Sequence, residues 1–139
     1  RAGRALLQTF QPEHPVIRAI LAGDEEGFWR AEAEGRRQAG VPPFGRMAGI
    51  ILSSPDMQAV FDLGETLARR DGPIRAVGAQ VFGPAPAPIA RIRGRHRVRL
   101  LVKAPKGAAL QAAVSEWIAQ GRLPAQMRLT VDIDPQSFY

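Results

Sequence analysis

The sequence predicts an α+β domain in which two helices cover one face of a four-stranded sheet, and three patterns carry that prediction. The apolar run Met47–Leu52 is too short for a helix and leads directly into a segment of helical periodicity. A second helical period runs from Leu110 to Ile118, and residues 127–134 alternate apolar with polar one by one. With strand patterns at 77–81 and before Lys103 between them, the order is β-α-β-β-α-β.

Each element has its own signal. Ala5–Phe10 reads as a short buried strand with no partner nearby, and Pro12 and Pro15 turn the chain before Val16–Leu21. Gly23-Asp24-Glu25-Glu26 supplies an N-cap and first-turn acids, which the helix dipole favours. The polar helix that follows runs towards Gln38 and ends at Gly40 and the Pro42-Pro43 pair. Phe28, Trp29 and a few alanines are its only apolar residues, so it is solvated or docks on a surface outside this chain, and residues 1–45 read as a connector.

The regular pattern begins with the Met47–Leu52 strand. Ser54-Pro55-Asp56 then reads as an N-cap, a proline at the first helical position and an acid. Met57, Val60, Phe61, Gly64, Leu67 and Ala68 share one helical face, and Asp71-Gly72-Pro73 closes the helix. Val77, Ala79 and Val81 alternate as a second strand, and a proline-rich turn, Gly83–Pro88, leads to a third strand ending near Lys103. Leu110, Val114, Trp117 and Ile118 mark the second amphipathic helix, which stops at Gly121. In the last strand Met127, Leu129, Val131 and Ile133 face one way, while Arg128, Thr130, Asp132 and Asp134 face the other. This is the split, ferredoxin-like arrangement.

At 139 residues and 45% apolar composition the chain suffices for one compact domain and a short appendage. It has no cysteine and only two histidines, His14 and His96, which excludes disulfides, thiolate metal sites and a His-based metal cage. No apolar run approaches the roughly 20 residues that span a bilayer. The start, RAGRALLQTF, has neither an initiator Met nor a signal-peptide core, so the expectation is a piece of a longer cytoplasmic protein, without membrane association.

Charge is concentrated in one place. Residues 84–106, PAPAPIARIRGRHRVRLLVKAPK, contain seven bases and no acid, whereas the flanking regions are balanced to within one charge, so the net +6 arises here. Arg91, Arg93, Arg95, Arg97 and Arg99 fall at every second position, matching the side-chain period of a strand. Val98, Leu100 and Val102 would then enter the helix layer, leaving Arg97, Arg99 and Lys103 on the open face. Gly94 marks a turn or bulge that shifts the phase of Arg91 and Arg93.

Guanidinium groups bind phosphate bidentately and stack on bases, so this Arg-rich stripe points to nucleic acid. About five contacts to a single strand would give a log affinity against log salt slope of roughly −3.5. The competing reading is a solvated edge strand whose charges prevent sheet-to-sheet aggregation. Phe82 is the only aromatic close in sequence, so binding should be mainly electrostatic and sequence-tolerant. Asp132 and Asp134 read as a polar strand face rather than a metal pair, His96 as a turn residue, and Trp29 and Trp117 as docking or core residues. No phosphate loop with its lysine and no nucleophile–base arrangement is present, so these residues alone should not form an enzyme.

Four stretches resemble the C-terminal end of the primosomal protein N′ (PriA) family of replication-restart DNA helicases: RAGRALLQTFQPEHPVI at 1–17, GDEEGFWRAEAEGRRQAGVPPFGRMA at 23–48, VFGPAPAPIARIRGRHRVRLLVKAP at 81–105 and VDIDPQSF at 131–138. The resemblance implies a 3′ to 5′ superfamily 2 motor that uses ATP, remodels stalled forks and lets the replicative helicase be reloaded. It implies that residues 1–22 end the second helicase lobe, with Arg1 and Arg4 the arginines of its sixth motif, which reach the nucleotide γ-phosphate. Residues 23–45 then form a helical connector and 46–139 an S10-like C-terminal domain. That domain is implicated in contact with single-stranded or forked DNA and in docking the acidic tail of single-stranded DNA-binding protein during primosome assembly. Lys106 and Gln111 fall at the tail-docking positions. Gly107 stands where a family member carries arginine, and Lys106 supplies charge in its place.

The family's phosphate loop, magnesium-binding acids and zinc module lie upstream of these residues. No cofactor is therefore expected in this chain, and ATP with magnesium and structural zinc are expected in the parent protein. The alternative is a free-standing RNA-binding module of ribosomal-protein type, which also wants a small α/β scaffold with an arginine-rich strand. A phosphate-handling enzyme on the same scaffold would need an amide donor beside its arginines, and the chain contains no asparagine.

Overall fold

A computed structural model describes residues 3–136. Two helices, α1 (Pro15–Ala22) and α2 (Glu25–Ala39), precede β1 (Gly45–Ser54), α3 (Met57–Arg69) and the short α4 (Gly72–Ala76). Then follow β2 (Gln80–Ile92), β3 (Arg95–Pro105), α5 (Leu110–Ala119) and β4 (Arg128–Ile133). The sheet order is β2-β3-β1-β4 with antiparallel neighbours, which is the split β-α-β-β-α-β arrangement.

Register explains the layering. Cross-strand partners share a face, and Ala48, Ile50 and Leu52 of β1 lie opposite Val102, Leu100 and Val98 of β3. All six are buried, against Val60 and Leu67 of α3, Ile74 of α4, and Leu110, Val114 and Trp117 of α5. Trp117 is fully buried, and its indole Nε1 donates to the Leu67 carbonyl at 3.0 Å, joining α5 to the C-terminal turn of α3. Gly64 lets α3 lie directly on β2, since a Cβ there would stand 2.8 Å from Pro84 Cβ. The intervening residues of β1 and β3 form the opposite, open face.

Several local expectations are corrected. Ala5–Phe10 forms no strand: it is irregular, and Leu6 and Phe10 are 94% and 105% exposed, because no described segment offers its backbone a ladder partner. Val16–Leu21 lies in α1, with Pro15 in its first turn and His14 Nδ1 accepting from the Val16 amide at 3.3 Å. The cap of α3 is Asp56, whose carboxylate accepts from the Ala59 amide at 3.2 Å; Ser54 ends β1 instead. Asp71-Gly72-Pro73 both closes α3 and starts α4, whose Ile74 fills the core, so Val77 and Ala79 precede β2 rather than belonging to it.

The largest correction concerns the prolines. Gly83–Pro88 is strand, not turn, and the hairpin turn is Arg93-Gly94, both with positive φ (49° and 77°), as a two-residue type I′ loop requires. Proline lacks an N–H but fits an edge strand, and β2 is an edge. Its register slips twice: Phe82 to Ala85 covers three steps against two in β3, and Pro86 to Arg91 covers five against two. Residues 87–90 therefore arc out of the ladder.

The polar helix α2 forms where its pattern predicts. Asp24 caps α2 through the Gly27 amide at 2.9 Å, and Gly40 ends it at φ 61°. Trp29 is 59% exposed.

Candidate nucleic-acid interface

β3 presents Arg95, Arg97, Arg99, Leu101 and Lys103 on the open face, because Val98, Leu100 and Val102 are buried on the other. The phase of the remaining arginines follows from the turn. Arg91 pairs with His96 and Ile92 with Arg95, so Arg91 sits on the side opposite the stripe, and Arg93 occupies the hairpin tip. Both are exposed. One continuous five-arginine face is therefore not formed.

The cations on that face differ in their bonding. Arg95 Nη2 donates to the carbonyls of Ser53 (2.7 Å) and Gln126, and its Nε to Ser53 Oγ at 3.3 Å, tying the end of β1 to the approach to β4. Lys103 Nζ donates to the Ala39 carbonyl at 2.6 Å, where the C-terminal end of α2 carries partial negative charge. Arg97 Nη1 donates to the Ile89 carbonyl at 3.1 Å and holds the β2 arc over the sheet. Arg95, Lys103 and Arg97 thus each brace a backbone carbonyl, and Arg97 and Arg99 also border a groove.

That groove, about 360 Å³, lies on the open face. Gly49 and Ile51 of β1 and Leu101 of β3 give it an apolar floor, and Pro88 and Ile89 of the β2 arc flank it together with Ile92 beside the hairpin turn. Asp132 of β4 and Pro135 complete the lining, and Asp132 is its one acid among the described residues. The sequence pattern showed the arginines but not the groove, because the arc that flanks it arises from strand slippage. The proline spacing was the available signal.

Asp134 is not on the strand face with Asp132. The chain turns there at φ 50°, and the carboxylate accepts from Arg46 Nε (3.0 Å) and Nη2 (2.9 Å) and from the Met47 amide (3.0 Å). Its burial raises the pKa, but the Arg46 hydrogen bond, the Met47 amide and the Arg46 charge together lower it below the usual 3.8. The two aspartates therefore have separate roles: Asp134 locks β4 to β1, and Asp132 faces the groove.

Lys106 and Gln111 are exposed around the start of α5. Ala109 caps that helix without a side-chain hydrogen bond, and no acid lies in the first turn. Arg4 is exposed in the irregular N-terminal segment, and Arg1 lies outside the described residues. A cavity of about 630 Å³ between α1 and α2, lined among others by His14, Arg18, Asp24 and Phe28, is remote in the chain from the arginine strand. No helix of the described residues is long and apolar enough to cross a membrane.

Fold and surface together define a small α+β domain with a cationic open face, preceded by two helices. The chain belongs to the family of the primosomal protein N C-terminal domain, which matches residues 37–136. Over its whole length it is 31% identical to a replication restart protein PriA of Rickettsia felis, covering 22% of that protein. Similar relatives occur in Haemophilus influenzae (32% identity, 98% of the chain, 20% of the relative) and Synechocystis (31%, 97%, 16%), both named replication restart protein PriA. The chain thus spans about a fifth of the length of these relatives and corresponds to a PriA C-terminal region.

Proposed function

We propose that the chain serves as the C-terminal part of a replication-restart DNA helicase and contributes contact with single-stranded or forked DNA. The observation that carries this reading is the open face of β3, where Arg97 and Arg99 border a groove within a domain of the PriA family. Phosphate contacts position such a strand without reading its sequence. With Arg93 at the hairpin tip added, about three phosphates are neutralised, and the salt slope becomes roughly −2.1. Fluorescence anisotropy on a labelled single strand and a fork tests it. The double substitution Arg97→Ala with Arg99→Ala is expected to weaken binding to all sequences alike, and unchanged affinity would refute the DNA role of this face.

The start of α5 supports a second contact. Its uncapped amides, with Lys106 and Gln111 beside them, suit an acidic peptide, and the reading assigns them to the tail of single-stranded DNA-binding protein. In an NMR titration with such a tail, amide shifts centred on residues 106–111 are expected; no shift at saturation refutes the assignment.

In this reading residues 1–22 complete a motor lobe, Arg1 and Arg4 face its nucleotide, and the exposed apolar residues of the connector pack on that lobe. ATP with magnesium and structural zinc belong to upstream parts of the parent protein, which acts in the cytoplasm with other primosome proteins. Similarity along the whole chain to restart proteins supports this over a free-standing RNA-binding module.

A further inference from the structure

We infer that the open-face groove is a slot for one unstacked nucleotide of the strand that the arginines hold, with a preference for guanine. The inference rests on the DNA reading above and adds a place for a base. Three rows of the sheet set the geometry. Across the first lie Asp132, Gly49 and Leu101; across the next Thr130, Ile51 and Arg99; across the third Arg128, Ser53 and Arg97. Gly49 is a gap in the floor, since a Cβ built there would meet no atom within 4 Å. A flat ring therefore has apolar surface beneath it at Leu101 and Ile51, an acid at one edge and guanidinium groups one and two rows away. Ile89 of the arc and Ile92 beside the turn, 59% and 40% exposed, offer apolar surface beside the slot.

Only a nucleotide uses all of these features. Its base has two apolar faces and N–H groups at its edge, and its phosphate is an anion on a flexible link. A phosphate backbone alone gains nothing from Ile51 and Leu101, and an acidic peptide would meet Asp132. Asp132 is exposed and has no hydrogen bond or ion pair among the described residues, so its carboxylate remains an acceptor. Guanine presents N1–H and the 2-amino group side by side to one carboxylate. Adenine and cytosine present one amino group, and thymine sets carbonyl oxygens on both sides of its single N–H.

Anisotropy with the 139-residue chain tests this, using a short oligothymidylate and versions carrying one central guanosine or one central inosine, which lacks the 2-amino group. Guanosine is expected to tighten binding about tenfold, and inosine by much less. Asp132→Asn should abolish the preference while retaining oligothymidylate binding. Gly49→Val, on a strand that tolerates valine, should fill the slot with the same result, and circular dichroism confirms the fold of both. Equal affinity for all three oligonucleotides, or a preference that survives Asp132→Asn, overturns the slot. Retention of salt-dependent, Arg97- and Arg99-dependent binding in that case leaves the arginine face standing. Absence of binding to any oligonucleotide removes both readings. A glutamate-rich peptide with one leucine that binds more tightly than the oligonucleotides and is blocked by Gly49→Val would assign the groove to a peptide and refute the inference.

Discussion

Arg95 separates bracing from binding within one strand. Its guanidinium satisfies the Ser53 and Gln126 carbonyls and the Ser53 hydroxyl, and so holds the segment before β4 against the end of β1. A charged-group hydrogen bond contributes about 1.5–3 kcal/mol when protected from water. Here Ser53 is half-buried and Gln126 exposed, so solvent competition reduces the sum. Arg95→Ala is therefore expected to destabilise the fold by about 2 kcal/mol, roughly 6–10 °C in Tm for a chain of this size. Its effect on the salt slope of DNA binding should be near zero, whereas loss of a true phosphate contact changes the slope by about 0.7. Arg95→Lys should recover only part of the stability, because one ammonium cannot reproduce the guanidinium fork. Urea denaturation and salt-dependent anisotropy on the same samples measure both quantities. A stable Arg95→Ala protein with a slope shallower by about 0.7 would refute the assignment and return Arg95 to the DNA face.

Other expectations follow from single contacts. Asp134 has a lowered folded pKa, so its stabilisation is present above the usual 3.8 and lost as pH falls through the folded value. Asp134→Asn should flatten that acid limb in urea midpoints measured from pH 7 down to pH 3, and an unchanged limb would exclude the Arg46 lock as its source. Gly64→Ala improves helix propensity by about 1 kcal/mol but drives a methyl into Pro84; an overpacking cost of about 1–3 kcal/mol gives net destabilisation, whereas a raised urea midpoint would show that β2 yields. Trp117→Phe removes the bond to the Leu67 carbonyl and leaves a void, for a loss of about 2–3 kcal/mol, read from the same denaturation curves. A neutral effect there would mean that α3 and α5 are held by apolar packing alone.

Much of the fold was legible from local pattern. Burial along β1, β3 and α3 follows the alternation and the helical period, because the side chain is the unit that partitions between core and water. The errors cluster where another segment decides the outcome. Ala5–Phe10 has strand-like residues and no ladder to join, Asp56 rather than Ser54 begins α3, and three prolines in β2 resemble a turn although an edge strand accommodates them.

By itself, the sequence determined the β-α-β-β-α-β order, the buried faces, the basic segment and the family. Each depends on residue type and spacing along one stretch of chain, or on similarity summed over all of it. Tertiary structure alone decided what each cation in the stripe does, because a guanidinium or ammonium reaches several ångströms to carbonyls contributed by residues distant in sequence. Arg95 and Lys103 became braces in this way, and slippage of β2 against β3 moved Arg91 off their face and set Ile89 and Ile92 beside Arg97 and Arg99. The periodicity of the basic segment is a one-dimensional property; the groove it borders exists only once four strands share a register.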